Sequence, residues 1–221
     1  MNFEANKTKS SAVDSGKVSG FIDLTSSSTS KGYLFCKRLM DVIVSAFACV
    51  TLFFPLLIVA LLVWMDTKAS PIFCQQRMGK DGKAFTIFKF RTMKEEAPSD
   101  MAARDFSDSN LYITKFGAFL RRSSIDELPQ LLNILLGDMS FVGYRPVCLS
   151  ETELNQLRMD YGVFAVRPGI TGLAQVNGRD NLEFREKAKL DAEYVAGCSM
   201  KMDLWCLFQT VKTVITGEGV I

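Results

Sequence analysis

The longest departure from a mixed polar and apolar pattern is residues 42–65, VIVSAFACVTLFFPLLIVALLVWM, 24 residues without a charge. At about 1.5 Å per residue a straight helix of this length reaches roughly 36 Å, enough for a bilayer core of about 30 Å. The segment has no polar face, so the pattern predicts membrane contact rather than a buried soluble helix. Pro55 stands near its middle. Proline cannot donate to the carbonyl of Thr51 and crowds that turn, so a break is predicted at Pro55. Thirteen residues of the segment precede it and ten follow, each half too short to cross alone. A kinked spanning helix and a helix–break–helix that enters and leaves by one face both fit. Flanking charge favours both flanks on the cytoplasmic side only weakly. Lys31, Lys37 and Arg38 precede the segment, and Lys68, Arg77, Lys80 and Lys83 follow it.

Residues 1–30 hold eight serines and almost no large apolar residue, the composition of a disordered tail. Past the membrane segment, Pro71-Ile72-Phe73 and 83–90 flank Gly79-Lys80-Asp81-Gly82, predicting a β-hairpin. Residues 94–110 are charged and predict a mobile loop. Helical spacing of apolar positions covers 112–122 and 128–136, with Gly137 as the C-cap. Residues 141–146 and 166–179, rich in Gly, Pro and Arg, predict irregular chain. Helices are predicted again over 182–197 and 200–216. The last carries Leu204, Leu207, Phe208, Val211 and Ile215 on one stripe beside Trp205, suited either to a core or to a membrane surface. The chain therefore divides into a tail (1–30), a membrane-associated helix broken at Pro55 (31–66) and a domain (67–221) ending in an amphipathic helix. The fold class is α+β, mainly helical with a small hairpin.

Composition then removes whole classes of function. Lys and Arg total 26 and Asp and Glu 24, a net charge of +2, too balanced for a nucleic-acid binder that works by bulk charge. Histidine is absent, which excludes Ser-His and Cys-His nucleophile pairs and histidine-liganded zinc. The six cysteines form no Cys-x-x-Cys pair and read as free thiols filling the core.

The sharpest candidate for chemistry is Asp126-Glu127, set in Arg121-Arg122-Ser123-Ser124-Ile125-Asp126-Glu127-Leu128-Pro129-Gln130. Ser124 and Glu127 have capping-box spacing, which is a purely structural reading. Yet with Ser124 as cap, Pro129 would be the fifth helical residue, where an N–H is needed. With Asp126 as cap it costs nothing, and Asp126 lies at a helix mouth beside two arginines, suited to phosphate or a divalent ion. Arg145 before Pro146, Arg167 before Pro168-Gly169, and Arg179 after Gly178 suit bidentate phosphate recognition, and Lys89 and Arg91 are similar candidates.

Ordered blocks from Lys37 to Ile215 carry a resemblance. They are Lys37-Arg38-x-x-Asp41, Gln76-Arg77-x-Gly79, 88–93 (FKFRTM), 126–130 (DELPQ), 137–143 (GDMSFVG), Arg145-Pro146 and 167–179 (RPGITGLAQVNGR), with Asp191 and Tyr194 after them. On these the chain resembles the bacterial sugar transferases, the monotopic polyprenyl-phosphate phosphoglycosyl transferases that begin exopolysaccharide, O-antigen or glycoprotein glycan assembly. Three positions depart from the family's usual pattern: Phe54 stands where serine commonly precedes the break proline, Gly143-Tyr144-Arg145-Pro146 replaces Gly-Pro-Arg-Pro, and Asp180 follows Gly178-Arg179 where asparagine is frequent.

The resemblance implies transfer of a sugar-1-phosphate from a nucleotide sugar, usually a UDP-sugar, to undecaprenyl phosphate, with Mg²⁺ and release of the nucleoside monophosphate. Asp126 would be the nucleophile and Glu127 its partner, both near the metal. Arg121 and Arg145 would hold phosphate with Lys89 and Arg91 in support. Arg167, Pro168, Gly169, Gln175 and Arg179 would line the nucleotide-sugar site. The hydrophobic segment would be re-entrant and the catalytic domain would face the cytoplasm at the bacterial inner membrane, among other glycan-assembly enzymes. A non-catalytic scaffold of a polysaccharide assembly complex is the alternative, and an ordinary glycosyltransferase, releasing the diphosphate, is another.

Overall fold

The computed structural model describes residues 30–97, 112–178 and 182–216, with side chains to residue 213. The serine-rich tail before residue 30, most of the predicted loop at 94–110, Arg179 and the side chain of Ile215 fall outside the described residues.

Two helices open the described chain, α1 (Lys31–Thr51) and α2 (Phe53–Thr67), bent by 65° at Leu52. Among the described residues no single helix is long and apolar enough to cross a membrane, whereas the bent pair passes by length and composition alone. The bend lies at Leu52, three residues before Pro55: proline cannot donate to the Thr51 carbonyl, as the sequence predicts, and α1 ends at Thr51. Pro55 becomes the third residue of α2, inside the first turn, where no intrahelical partner is required of its nitrogen. Thr51 Oγ1 donates to the carbonyls of Phe47 and Ala48, a back-bonding pattern that bends helices. Helix α1 is patterned inside out. Asp41 and Ser45 are the buried residues of α1, while Phe47, Val50, Phe54 and Ile58 are at least 60% exposed.

The hairpin forms as predicted, β1 (Ile72–Met78) pairing antiparallel with β2 (Ala84–Phe90) across a turn at Lys80–Gly82. Thr114 caps α3 (Lys115–Arg122), accepting from the Gly117 amide at 2.8 Å. A Cβ on Gly117 would collide with the Thr92 carbonyl, so only glycine lets α3 meet the end of the hairpin. Val63 of α2, Phe90 and Leu120 form one core cluster, which seats the bent pair on this layer.

Helix α4 (Gln130–Leu136) ends at Gly137, φ 100°, the left-handed C-cap that the sequence predicts. Arg38 of α1 donates to the Ile134 and Leu135 carbonyls, satisfying the end of α4. The stretches read as irregular are partly ordered: β3 (Ser140–Val142) pairs in parallel with β4 (Gly169–Thr171), followed by α6 (Leu173–Val176). The pairing depends on Gly143, where a Cβ would strike the Arg167 carbonyl. Proximity of bare backbones, not β-propensity, makes this sheet, so strand patterning could not reveal it.

Between the two strands runs α5 (Thr152–Asp160), and α7 (Phe184–Gly197) and α8 (Met200–Thr216) close the domain. The α8 stripe divides. Leu207 joins the core beside Val142, Tyr194 and Cys206, whereas Leu204, Trp205, Phe208 and Val211 face outward at 41–67% exposure. The cysteines correct the core-filler reading: Cys148 and Cys206 are buried, whereas Cys36 and Cys74 are exposed.

Candidate active site

Asp126 and Glu127 lie in one 3-10 turn, Ile125–Glu127, between α3 and α4. Neither predicted cap forms. Ser124 takes a left-handed conformation, φ 57°, and its side chain caps nothing; Pro129 itself precedes the first residue of α4. The reason is competition for Glu127. Its Oε1 accepts from Lys89 Nζ of β2 at 2.8 Å and from Arg145 Nη2 at 3.0 Å, so the side chain faces two cations instead of closing a capping box.

The two neighbouring carboxyls are tuned in opposite directions. Burial alone would raise Glu127, but Arg145 and Lys89, through charge and hydrogen bonds, hold it well below the usual carboxylate range. Asp126 is 9% exposed, and its carboxylate accepts no hydrogen bond from the described residues. Burial pushes Asp126 above its ordinary value; Lys89, Arg121 and Arg145 pull it down and Glu127 adds to the rise. Arg121 sits at the end of α3, its Nε donating to Thr92 Oγ1 at 2.9 Å. Burial lowers its pKa, opposed by the Asp126 charge.

Asn133 of α4 fixes the strand that supplies Lys89. Its Oδ1 accepts from the Phe88 amide at 3.0 Å, and its Nδ2 donates to the Thr86 carbonyl at 2.7 Å. The result is one carboxylate locked to cations beside one held buried but unbonded. Such a pair can present a carboxylate nucleophile to a phosphorus whose oxygens are drawn to the surrounding cations.

Five of the residues singled out in the sequence therefore converge: Asp126, Glu127, Lys89, Arg121 and Arg145. Others do not join them. Arg91 Nε is taken by the Ser70 carbonyl at 2.8 Å. Arg167 Nε donates to the Gly137 carbonyl at 2.7 Å, and with Lys37, Arg38 and Lys80 it lines a cavity of about 110 Å³ at the other end of α4. The Pro168 carbonyl accepts from Ser140, and the Gly169 amide donates to Tyr144 O, so these two build the β3–β4 pairing. Gln175 is buried in α6 with both amide atoms unpartnered. Thr92, Asn133 and Arg158 carry no sequence signal of their own as site residues. Only the spacing of Leu154, Asn155 and Arg158, a partly polar buried face of α5, hints at the last.

Among the described residues no group of three or more acidic, cysteine or histidine side chains could hold a metal ion. Magnesium needs fewer protein ligands, since one or two carboxylates with substrate phosphates and water complete its shell. The unbonded Asp126 carboxylate, with Glu127 engaged through Oε1, is an oxygen donor set that fits it.

A family model described as bacterial sugar transferase matches residues 32–217. An uncharacterised sugar transferase of Bacillus subtilis is 39% identical over 196 residues, covering 85% of this chain and 91% of that protein. The UDP-galactose-lipid carrier transferase of Erwinia amylovora is 37% identical over 84% of this chain and 41% of its own length. The UDP-glucose:undecaprenyl-phosphate glucose-1-phosphate transferase of Klebsiella pneumoniae is 41% identical over 79% of this chain and 39% of its own length. This chain thus spans about two fifths of the length of several relatives that it matches. With the match running from the first turn of α1 to the end of α8, the chain belongs to the bacterial sugar transferase family.

Proposed function

We propose that the protein transfers a sugar-1-phosphate from a UDP-sugar to undecaprenyl phosphate. The observation that carries this reading is Asp126: a buried carboxylate that accepts no hydrogen bond from the described residues, next to a glutamate locked to two cations. The names of the Klebsiella relative and of an undecaprenyl-phosphate galactose phosphotransferase of Salmonella typhimurium, 37% identical, support the substrate pair.

In this reading an Asp126 oxygen attacks the β-phosphorus. The bond from that phosphorus to the bridging oxygen breaks, and UMP departs with the electron pair. The aspartyl–phosphosugar then yields to an oxygen of undecaprenyl phosphate, which displaces the carboxylate and restores it. No proton transfer is needed at either displacement, so the absence of histidine is no handicap. Arg145, Lys89 and Arg121 draw the phosphate oxygens towards Asp126. Magnesium, held by Asp126 and Glu127, would neutralise diphosphate charge.

The bent α1–α2 pair, with large apolar side chains exposed along both helices, supports a re-entrant anchor at the cytoplasmic face of the inner membrane. The outward Trp205 and Phe208 of α8 support docking at the same surface.

The test is purified protein given labelled UDP-sugar and undecaprenyl phosphate. UMP should be released, and without the acceptor hydroxylamine-labile label should stay on the protein. Release of UDP, or no turnover, would overturn the reading. For the anchor, a single cysteine placed at Ser15 should resist an impermeant reagent added outside intact cells; labelling would mean a spanning helix.

A further inference from the structure

Arg145 stands in a stretch with little regular structure, between β3 and α5, yet the chain there is held at every carbonyl. Tyr144 O accepts from the Gly169 amide at 2.8 Å, and Val147 O accepts from the Met78 amide at 3.3 Å. Cys148 O accepts from Asn155 Nδ2 at 2.9 Å, and Pro146 O from Arg77 Nη1 at 3.4 Å. The remaining carbonyl, that of Arg145 itself, accepts from Arg158 Nη1 at 2.9 Å. Donors from β4, β1 and α5 thus converge on five consecutive residues.

Arg158 is the most unusual of these donors. It is 2% exposed, and it leads the fully buried side chains in size. Its Nε and Nη2 both donate to Asp191 Oδ2, at 2.9 and 2.6 Å, and its guanidinium lies 5.1 Å from the centre of the Tyr144 ring. A buried ion pair of this kind contributes little net stability compared with an apolar pair of the same volume. What the pair does provide is direction. Asp191 and the Tyr144 ring orient the guanidinium so that its remaining edge meets the Arg145 carbonyl.

Resting on the function proposed above, we infer that Arg158 is a positioning residue: it fixes the backbone of Arg145 so that the half-exposed guanidinium stays against Glu127 and beside Asp126. The Arg145 side chain is 47% exposed, and holding so long a side chain in one place costs rotamer entropy. A fixed backbone at its root removes part of that freedom before substrate arrives, which is how preorganised charge is maintained.

Arg158→Met alone would strand Asp191 in the core and could unfold the protein. The double variant Arg158→Met/Asp191→Leu removes both charges and keeps the volume filled. In full-length protein without substrate, the order parameter of the Arg145 Nε–Hε bond is read by NMR. It should be high in the wild type and fall below about 0.6 in the double variant. Turnover should drop about tenfold, and the drop should vanish when Arg145→Ala is already present, because both changes act through one group. Arg158→Lys, which keeps a donor and a charge, should recover part of the loss. An unchanged order parameter in the folded double variant overturns the inference, as does a turnover loss that simply adds to that of Arg145→Ala. If the wild type proves inactive while the order parameter falls as expected, the functional reading fails and the positioning of Arg145 by Arg158 stands.

Discussion

Glu127 and Asp203 are each bound by a lysine from a distant element, and the two centres behave differently. Around Asp203, 2% exposed, every acceptor is matched. Oδ2 takes Lys37 Nζ at 2.7 Å and the Tyr33 hydroxyl at 2.9 Å, and Oδ1 takes the Tyr194 hydroxyl at 2.6 Å. The network ties α1, α7 and α8 together. Around Glu127, one oxygen takes both cations, the neighbouring Asp126 carboxylate takes none, and Arg145 stays half exposed. A closed polar network fixes architecture; an open one of the same residue types leaves unspent hydrogen-bonding capacity for a ligand.

The largest difference between the centres should appear in turnover. Asp126→Asn is expected to reduce UMP release by at least about a thousandfold, since the carbonyl oxygen of an amide is a poor nucleophile. Its folded stability at neutral pH should not fall, because burial already disfavours the charged form there. A near wild-type rate would remove Asp126 from the chemistry. Asp203→Leu should do the reverse. It strands Lys37 and two tyrosyl hydroxyls and should cost about 3–5 kcal/mol in denaturant unfolding, while turnover per folded molecule falls less than tenfold. If turnover falls as far as in Asp126→Asn, the two centres are not separable.

The smallest effect is one of pH. Glu127 is held below its unfolded value of about 4.3, so it contributes stability that is present above that pH and lost as pH falls through it towards the folded pKa. Asp126 is held above its unfolded value of about 3.9, so its unfavourable contribution builds as pH rises from that value towards the folded pKa and is complete above it. Glu127→Gln should therefore lose about 1–3 kcal/mol at pH 7, the scale of a lost charge-assisted hydrogen bond. It should also flatten the acid limb of the stability curve, while Asp126→Asn leaves that limb in place. Parallel unfolding titrations between pH 3 and 8 decide this, and identical acid limbs in wild type and Glu127→Gln would refute the opposed tuning.

Local rules were enough for much of the molecule. The uncharged run, the Asp-Gly hairpin, the Gly137 cap and the amphipathic helices follow from chemistry within a few residues, and the ordered motifs identified the family. Tertiary structure decided what proximity across the chain decides. Glu127 abandoned a capping box for Lys89, 38 residues away, and Arg145, 18 residues away, because a charge-assisted bond to a partly buried carboxylate outweighs a cap. Arg167 went to the far end of α4 and Arg158 came to the site, although the sequence marks the first and is nearly silent on the second. Periodicity reports which face is apolar; it carries no information on which buried cation will find which carbonyl, since that depends on the packing of elements far apart in the chain.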